Sequence, residues 1–344
     1  MELGDEMILN VWNNIKNKQL MPAYLLLGKE SYLIQETLQL IIDAALHKEE
    51  IDFNLAQYDL SETALESAIE DAETLPFLGE KRVVILKNPH FLTSEKKKEK
   101  IEHRVDKLEE YLKSPAPYTI LVIVAPYEKL DERKKVTKAV KKMTEVVEMN
   151  GFSEHETKKW MNDLAGAHAI TLQESARDQL YILSAGNLMA ISQELMKLST
   201  YAGENGVITE ETVSTLVSRT LEQNIFELIE KVIKKDRTRA MQIFYDLLKA
   251  NEEPIKILSL LINQFRLILQ VKELSVLGYG QQQIAGNLKV HPFRVKLAMQ
   301  QAQLFQSVEL TQIMNQLADA DYDMKTGRMD KQLAIELFLL KLFK

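Results

Sequence analysis

Five short apolar runs, each separated from the next by a stretch of helical periodicity, occupy the first 150 residues and then stop. They are Ala23–Leu27, which ends at Gly28, the weaker Leu55–Asp59, Arg82–Leu86, Tyr118–Val124 and Glu145–Val147. Runs this short that lack polar alternation are buried on both faces. Such strands lie parallel, because a helix must carry the chain back between them. The intervening segments supply those helices. Tyr32, Leu33, Leu38, Ile41 and Ile42 share one helical face; Leu65, Ala68 and Ile69 share another, with Ser61 as the expected cap. A long charged helix is expected through Tyr111, and a lysine-rich one before Glu145. The pattern predicts a parallel sheet with helices on both faces.

Beyond Asn150-Gly151 the strand signal ends. Residues 153–216 read as three or four helices punctuated by Gly186-Asn187 and the loop Ala202–Gly206, with a helix start near Ile208 suggested by Thr209, Glu210, Glu211 and Thr212. From Asn224 the chain is helical almost to its end. Ile255–Leu277 is apolar on most sides, which predicts a central buried helix. The expected organisation is therefore α/β plus all-α: an α/β domain over 1–150, a small helical domain over 151–212 and a larger helical domain over 213–344. A chain of 344 residues has room for all three.

Composition narrows the chemistry. No cysteine is present, which removes disulfides, thiolate metal sites and cysteine nucleophiles and fits a reducing, cytoplasmic location. The first five residues hold two acids and no basic segment, so no secretory signal is expected. No uncharged apolar run reaches about 18 residues, and no membrane span is expected. Net charge is −7, and residues 1–80 alone hold sixteen acidic against four basic side chains. The remainder is net positive, with lysines at 96, 97, 98 and 100 and again from Lys129 to Lys142. That balance argues against a protein that coats nucleic acid, yet leaves a basic face for use inside an assembly.

Tests for an active site fail one after another. A phosphate-binding loop needs several backbone amides and a lysine around the phosphates. Here Leu27-Gly28-Lys29-Glu30-Ser31 offers one glycine, an immediate helix, and Glu30 where phosphate charge would lie. An acid for magnesium should follow an apolar strand, but Lys87-Asn88 follows Val84–Leu86. The six histidines include no pair at i,i+4 spacing, and Gly278-Tyr279-Gly280 lacks the third glycine of a dinucleotide loop. Asp319, Asp321 and Asp323 resemble the start of a calcium loop, but Met324 replaces the required glycine. No catalytic, cofactor-binding or metal-binding residue is predicted.

Two segments look like contacts. Thr74-Leu75-Pro76-Phe77-Leu78-Gly79 places large apolar residues in a turn, where they either fold back onto the sheet or stand exposed for a partner. The pattern alone allows both. Residues 282–295 imitate a helix-turn-helix, with Lys289 in place of the usual turn glycine; packing unrelated to DNA explains the same pattern.

Five ordered segments then carry a resemblance along essentially the whole chain: Tyr24–Leu33, Leu75–Val84, Gly186–Leu198, Asn224–Leu228 and Asp321–Gly327. Together they resemble the delta subunit of the bacterial DNA polymerase III clamp loader. The resemblance implies an AAA+-like domain that has lost its nucleotide site, a small helical lid and a helical collar. It implies a subunit of a DNA-directed DNA polymerase that has no active site or cofactor of its own. Met189 stands where active relatives tend to carry an arginine facing phosphate. In that family an apolar wedge enters a pocket on the sliding clamp and opens the ring. The matching residues are Leu75, Pro76, Phe77 and Leu78, with Phe77 the surest correspondence. Implied partners are the sliding clamp, ATP-binding loader subunits and a delta-prime subunit met through the collar, and primer-template DNA within the complex. A DNA-binding regulator using residues 282–305 and a divergent NTPase are the competing readings.

Overall fold

The computed structural model describes residues 5–77, 79–94 and 101–343, and these fall into two compact units, Met1–Glu156 and Thr157–Lys344. In the first unit the order is α1 Asp5–Lys16, β1 Ala23–Leu27, α2 Ser31–Ala45, α3 Ile51–Asn54, β2 Leu55–Asp59, α4 Leu65–Ala72, β3 Arg82–Lys87, α5 Val105–Lys113, β4 Thr119–Ala125, α6 Lys135–Met143 and β5 Glu145–Glu148. All pairings in this sheet are parallel, in the order β2-β3-β4-β1-β5. The register sets Leu25 opposite Ile123 and Val146, and Ile85 opposite Val122.

Alternation along the strands explains the two-sided burial. Leu25, Leu27, Val84, Leu86, Leu121 and Ile123 share one core with Leu65, Ile69, Leu108, Leu112, Val136 and Val140 of α4, α5 and α6. The residues between them, Tyr24, Leu26, Ile85 and Val122, are buried as deeply and so need cover on the opposite face. Helices α1 and α2 supply it, with Ile15, Leu33 and Ile41 fully buried and the Trp12 indole N–H donating to the Thr37 hydroxyl at 2.7 Å. The expected parallel α/β domain is present.

Two local expectations fail. Ser61 does not cap α4; Ala64 precedes that helix, and the Ser61 hydroxyl donates instead to Asp59 at 2.6 Å in a tight turn after β2. The long charged helix is short: within the described residues it covers only Val105–Lys113, because residues 101–104 are irregular. Lys96, Lys97, Lys98 and Lys100 lie outside the described residues.

The second unit contains α7 Glu154–Ala167 (which begins at the boundary), β6 Thr171–Leu172, α8 Glu174–Leu183, α9 Leu188–Ala202, β7 Val207–Ile208 and α10 Glu210–Leu216. It continues with α11 Leu221–Ile233, α12 Arg237–Lys249, α13 Pro254–Val276, α14 Gln281–Leu288, α15 Pro292–Ala302, α16 Ser307–Thr326 and α17 Lys331–Lys341. The pair β6–β7 corrects the expectation of no strand past residue 150; two residues per strand are too few to show a period. The helix start expected near Ile208 is at Glu210, with Thr209 capping α10 by accepting from the Thr212 amide. Helix α13 is central, touching α11, α14, α15, α16 and α17 and burying Leu258, Leu261, Phe265, Ile268 and Val271. It is long and apolar enough to cross a membrane by length and composition, but its inner face is the core of this helical unit.

Candidate functional site

Helix α4 ends where its carbonyls find fixed partners. The Thr119 hydroxyl donates to the Ala72 carbonyl at 2.7 Å and the Tyr118 hydroxyl to that of Glu73 at 2.7 Å, so two of the helix's orphan acceptors are held from the start of β4. The chain re-enters the sheet at Arg82, whose amide donates to the Tyr118 carbonyl at 2.8 Å. Both ends of the loop are thus anchored beside one strand. Leu75 and Phe77 remain 68% and 66% exposed. That settles the choice the sequence left open: these side chains do not fold back onto the sheet. Pro76 is half-buried between them, and Leu78 lies outside the described residues.

The loop is also braced from the side. The Phe77 amide donates to the buried Asn54 side-chain oxygen at 2.9 Å, and the Phe77 ring lies against that of Phe53 with centroids 5.3 Å apart. Arg82 forms an ion pair with Asp71 of α4 and donates to the Phe53 carbonyl at 3.2 Å. Gly79 has φ +80°, a backbone conformation that L side chains rarely adopt, so glycine suits the return. Sequence reasoning missed Phe53, Asn54 and Arg82. One signal was available for Phe53: the residues three and four positions away are Glu49, Glu50, Ala56 and Gln57, so it belongs to no apolar stripe.

At the other candidate position, after β1, the chain turns at Gly28 (φ +140°) straight into α2. The Glu30 carboxylate caps α2 by accepting from the Tyr32 amide at 3.3 Å, while the Glu30 amide donates to the Met149 carbonyl at 2.9 Å. A Cβ on Gly28 would overlap that same carbonyl. Lys29 points to Glu128, 2.8 Å away. The helix end that would receive phosphate therefore already holds a carboxylate. After β3, Asn88 donates to Asp59 at 2.9 Å, and Asp59 also accepts from the Ser61 amide and hydroxyl. These bonds hold the Asp59 carboxyl below its ordinary value, the Ser61 hydroxyl contributing most. Among the described residues there is no cluster of three or more metal-ligating side chains.

In the second unit the helix-turn-helix-like segment is used for packing. Ile284, Ala285, Phe293 and Val295 are buried, and the Phe293 ring meets Tyr181 edge-on at 4.9 Å. Lys289 takes the left-handed conformation at φ 54° that glycine would usually supply. Asp319, Asp321 and Asp323 lie within the continuous helix α16. Met189 lines a cleft of about 690 Å³ with Ile182, Val217, Phe226, Phe293 and Leu297.

Fold and site define a class: an α/β domain with a five-stranded parallel sheet and a braced apolar loop, continuing into a largely helical region. Two family models match, "DNA polymerase III, delta subunit" over residues 24–150 and "DNA polymerase III delta subunit, C-terminal domain" over residues 222–342. The chain belongs to the DNA polymerase III delta subunit family, the clamp-loader delta subunits. It is 56% identical to the DNA polymerase III subunit delta of Bacillus subtilis (strain 168) across 98% of this chain and 97% of that relative. The solved structure of the Bacillus subtilis DNA clamp loader delta protein superposes with TM-score 0.82, covering 98% of this chain and 99% of the other. A probable DNA polymerase III subunit delta of Aquifex aeolicus (strain VF5) is 25% identical over 74% of this chain and 72% of its own length.

Proposed function

We propose that this chain is the clamp-loader subunit that binds and opens a ring-shaped sliding clamp during DNA replication and does not itself hydrolyse ATP. The observation that carries this reading is the exposure of Leu75 and Phe77 on a loop fixed at both ends. A pocket on the clamp would bury both side chains, with Pro76 and Leu78 beside them. Opening requires no chemistry in this chain. If the loop fits the open ring better than the closed one, binding alone shifts the ring's equilibrium toward the open form.

The second half of the reading is supported by the corner at Gly28, where Glu30 fills the helix end, and by Asn88 in place of a magnesium-binding acid. ATP-binding loader subunits and a delta-prime subunit are the proposed partners, met through a collar over residues 213–344. Residues 151–212 act as a small lid domain, and primer-template DNA passes within the complex. The test is a clamp carrying a fluorescent donor and acceptor across one ring interface. Energy transfer should fall when the wild-type chain is added without nucleotide, and should not fall with Leu75→Ala/Phe77→Ala. Equal opening by both chains would overturn the proposal.

A further inference from the structure

We infer that Phe53 is a third apolar anchor of the clamp-contacting surface, acting beside Phe77; this rests on the reading of Leu75 and Phe77 given above. Among the described residues of the first unit, the large apolar side chains that stay exposed are Met21, Phe53, Leu75 and Phe77. Phe53 is 51% exposed on the four-residue helix α3, and its ring is tilted 44° against that of Phe77. With centroids 5.3 Å apart the two rings touch, so a partner that covers the outer face of Phe77 also reaches Phe53.

The position of Phe53 is set by the scaffold. Its carbonyl accepts from Arg82, its neighbour Asn54 is buried and accepts from the Phe77 amide, and Leu55 begins a strand in register with Val83. With its backbone fixed and its ring set against Phe77, the side chain has less conformational freedom to lose on binding. The occupant that fits is the clamp itself, because the patch is continuous with the loop proposed to enter it.

The experiment measures affinity of the full chain for the sliding clamp of its own organism by surface plasmon resonance, together with thermal unfolding. Phe53→Ala should weaken binding roughly 10- to 100-fold. Its Tm should stay within about 3 °C of wild type, since the side chain is half exposed. A Phe53→Ala chain that binds like wild type while Leu75→Ala/Phe77→Ala has lost binding would overturn this inference alone. A larger fall in Tm would place Phe53 in the fold's packing and overturn it as well. If Leu75→Ala/Phe77→Ala also binds like wild type, it is the parent reading that fails.

Discussion

Arg82, at the start of β3, is paired through its guanidinium with the carboxylate of Asp71 in the last turn of α4, and both side chains are largely buried, at 11% and 17% exposure. The same guanidinium donates to the Phe53 carbonyl. One side chain therefore ties the helix that precedes the apolar loop to the short helix that flanks it. Arg82→Ala would remove the cation paired with Asp71 in a poorly solvated place, where Tyr58 also hydrogen-bonds to the carboxylate, a loss on the order of 3 kcal/mol. Thermal unfolding should show a Tm several degrees lower, and clamp binding should weaken because the loop loses its brace. An unchanged Tm would mean that the pair contributes nothing to the fold.

The loop itself gives the largest expected effect on binding. Burying Leu75 and Phe77 in a pocket is worth about 1.5–3 kcal/mol for each side chain. Leu75→Ala/Phe77→Ala should then weaken clamp affinity by about two to four orders of magnitude. Stability should hardly move, because neither side chain fills a cavity in the folded chain. Assembly with the other loader subunits should persist. Intact clamp binding would place the contact elsewhere.

Calorimetry of the isolated chain with ATP and magnesium should show no heat of binding. The carboxylate of Glu30 already accepts from the first turn of α2, and a phosphate there would meet like charge. A saturable nucleotide site near Gly28 would contradict the reading of this corner.

Asp59 gives a pH dependence of defined sign. Its native pKa lies below the ordinary 3.8, first through the Ser61 hydroxyl, with the Ser61 amide and Asn88 adding to it. A depressed carboxyl contributes stability that is fully present above about pH 4 and is lost as pH falls through the native pKa. In urea unfolding, wild type should exceed Asp59→Asn by more at pH 6 than at pH 3. A constant difference across that range would show that charge at Asp59 is not what the turn uses.

Most of the sheet was legible because its strands are buried on both faces: β1 and β2 match their sequence runs end for end, and β3 to β5 differ by a residue or so. The apolar loop was visible as a place and ambiguous as a state, since the groups that hold the end of the preceding helix, Tyr118 and Thr119, lie more than forty residues away in sequence. Ser61 was misread because it belongs to the turn after β2, where its amide and hydroxyl donate to Asp59, and α4 begins only at Leu65. Phe53 joins the site through space, by a ring contact that no local period records.

Gly28 has a consequence for how this chain can vary. Its backbone lies so close to the Met149 carbonyl that not even a methyl group fits between them, and Asn150 Oδ1 would stand 2.9 Å from the added carbon. The entry of the chain into α2 and its departure from β5 are therefore clasped at a single corner. Lengthening the turn after β1 by the few residues a phosphate cradle needs would push the departing segment out of place. Building such a cradle would take coordinated change at two distant stretches of sequence, so no single substitution reaches it.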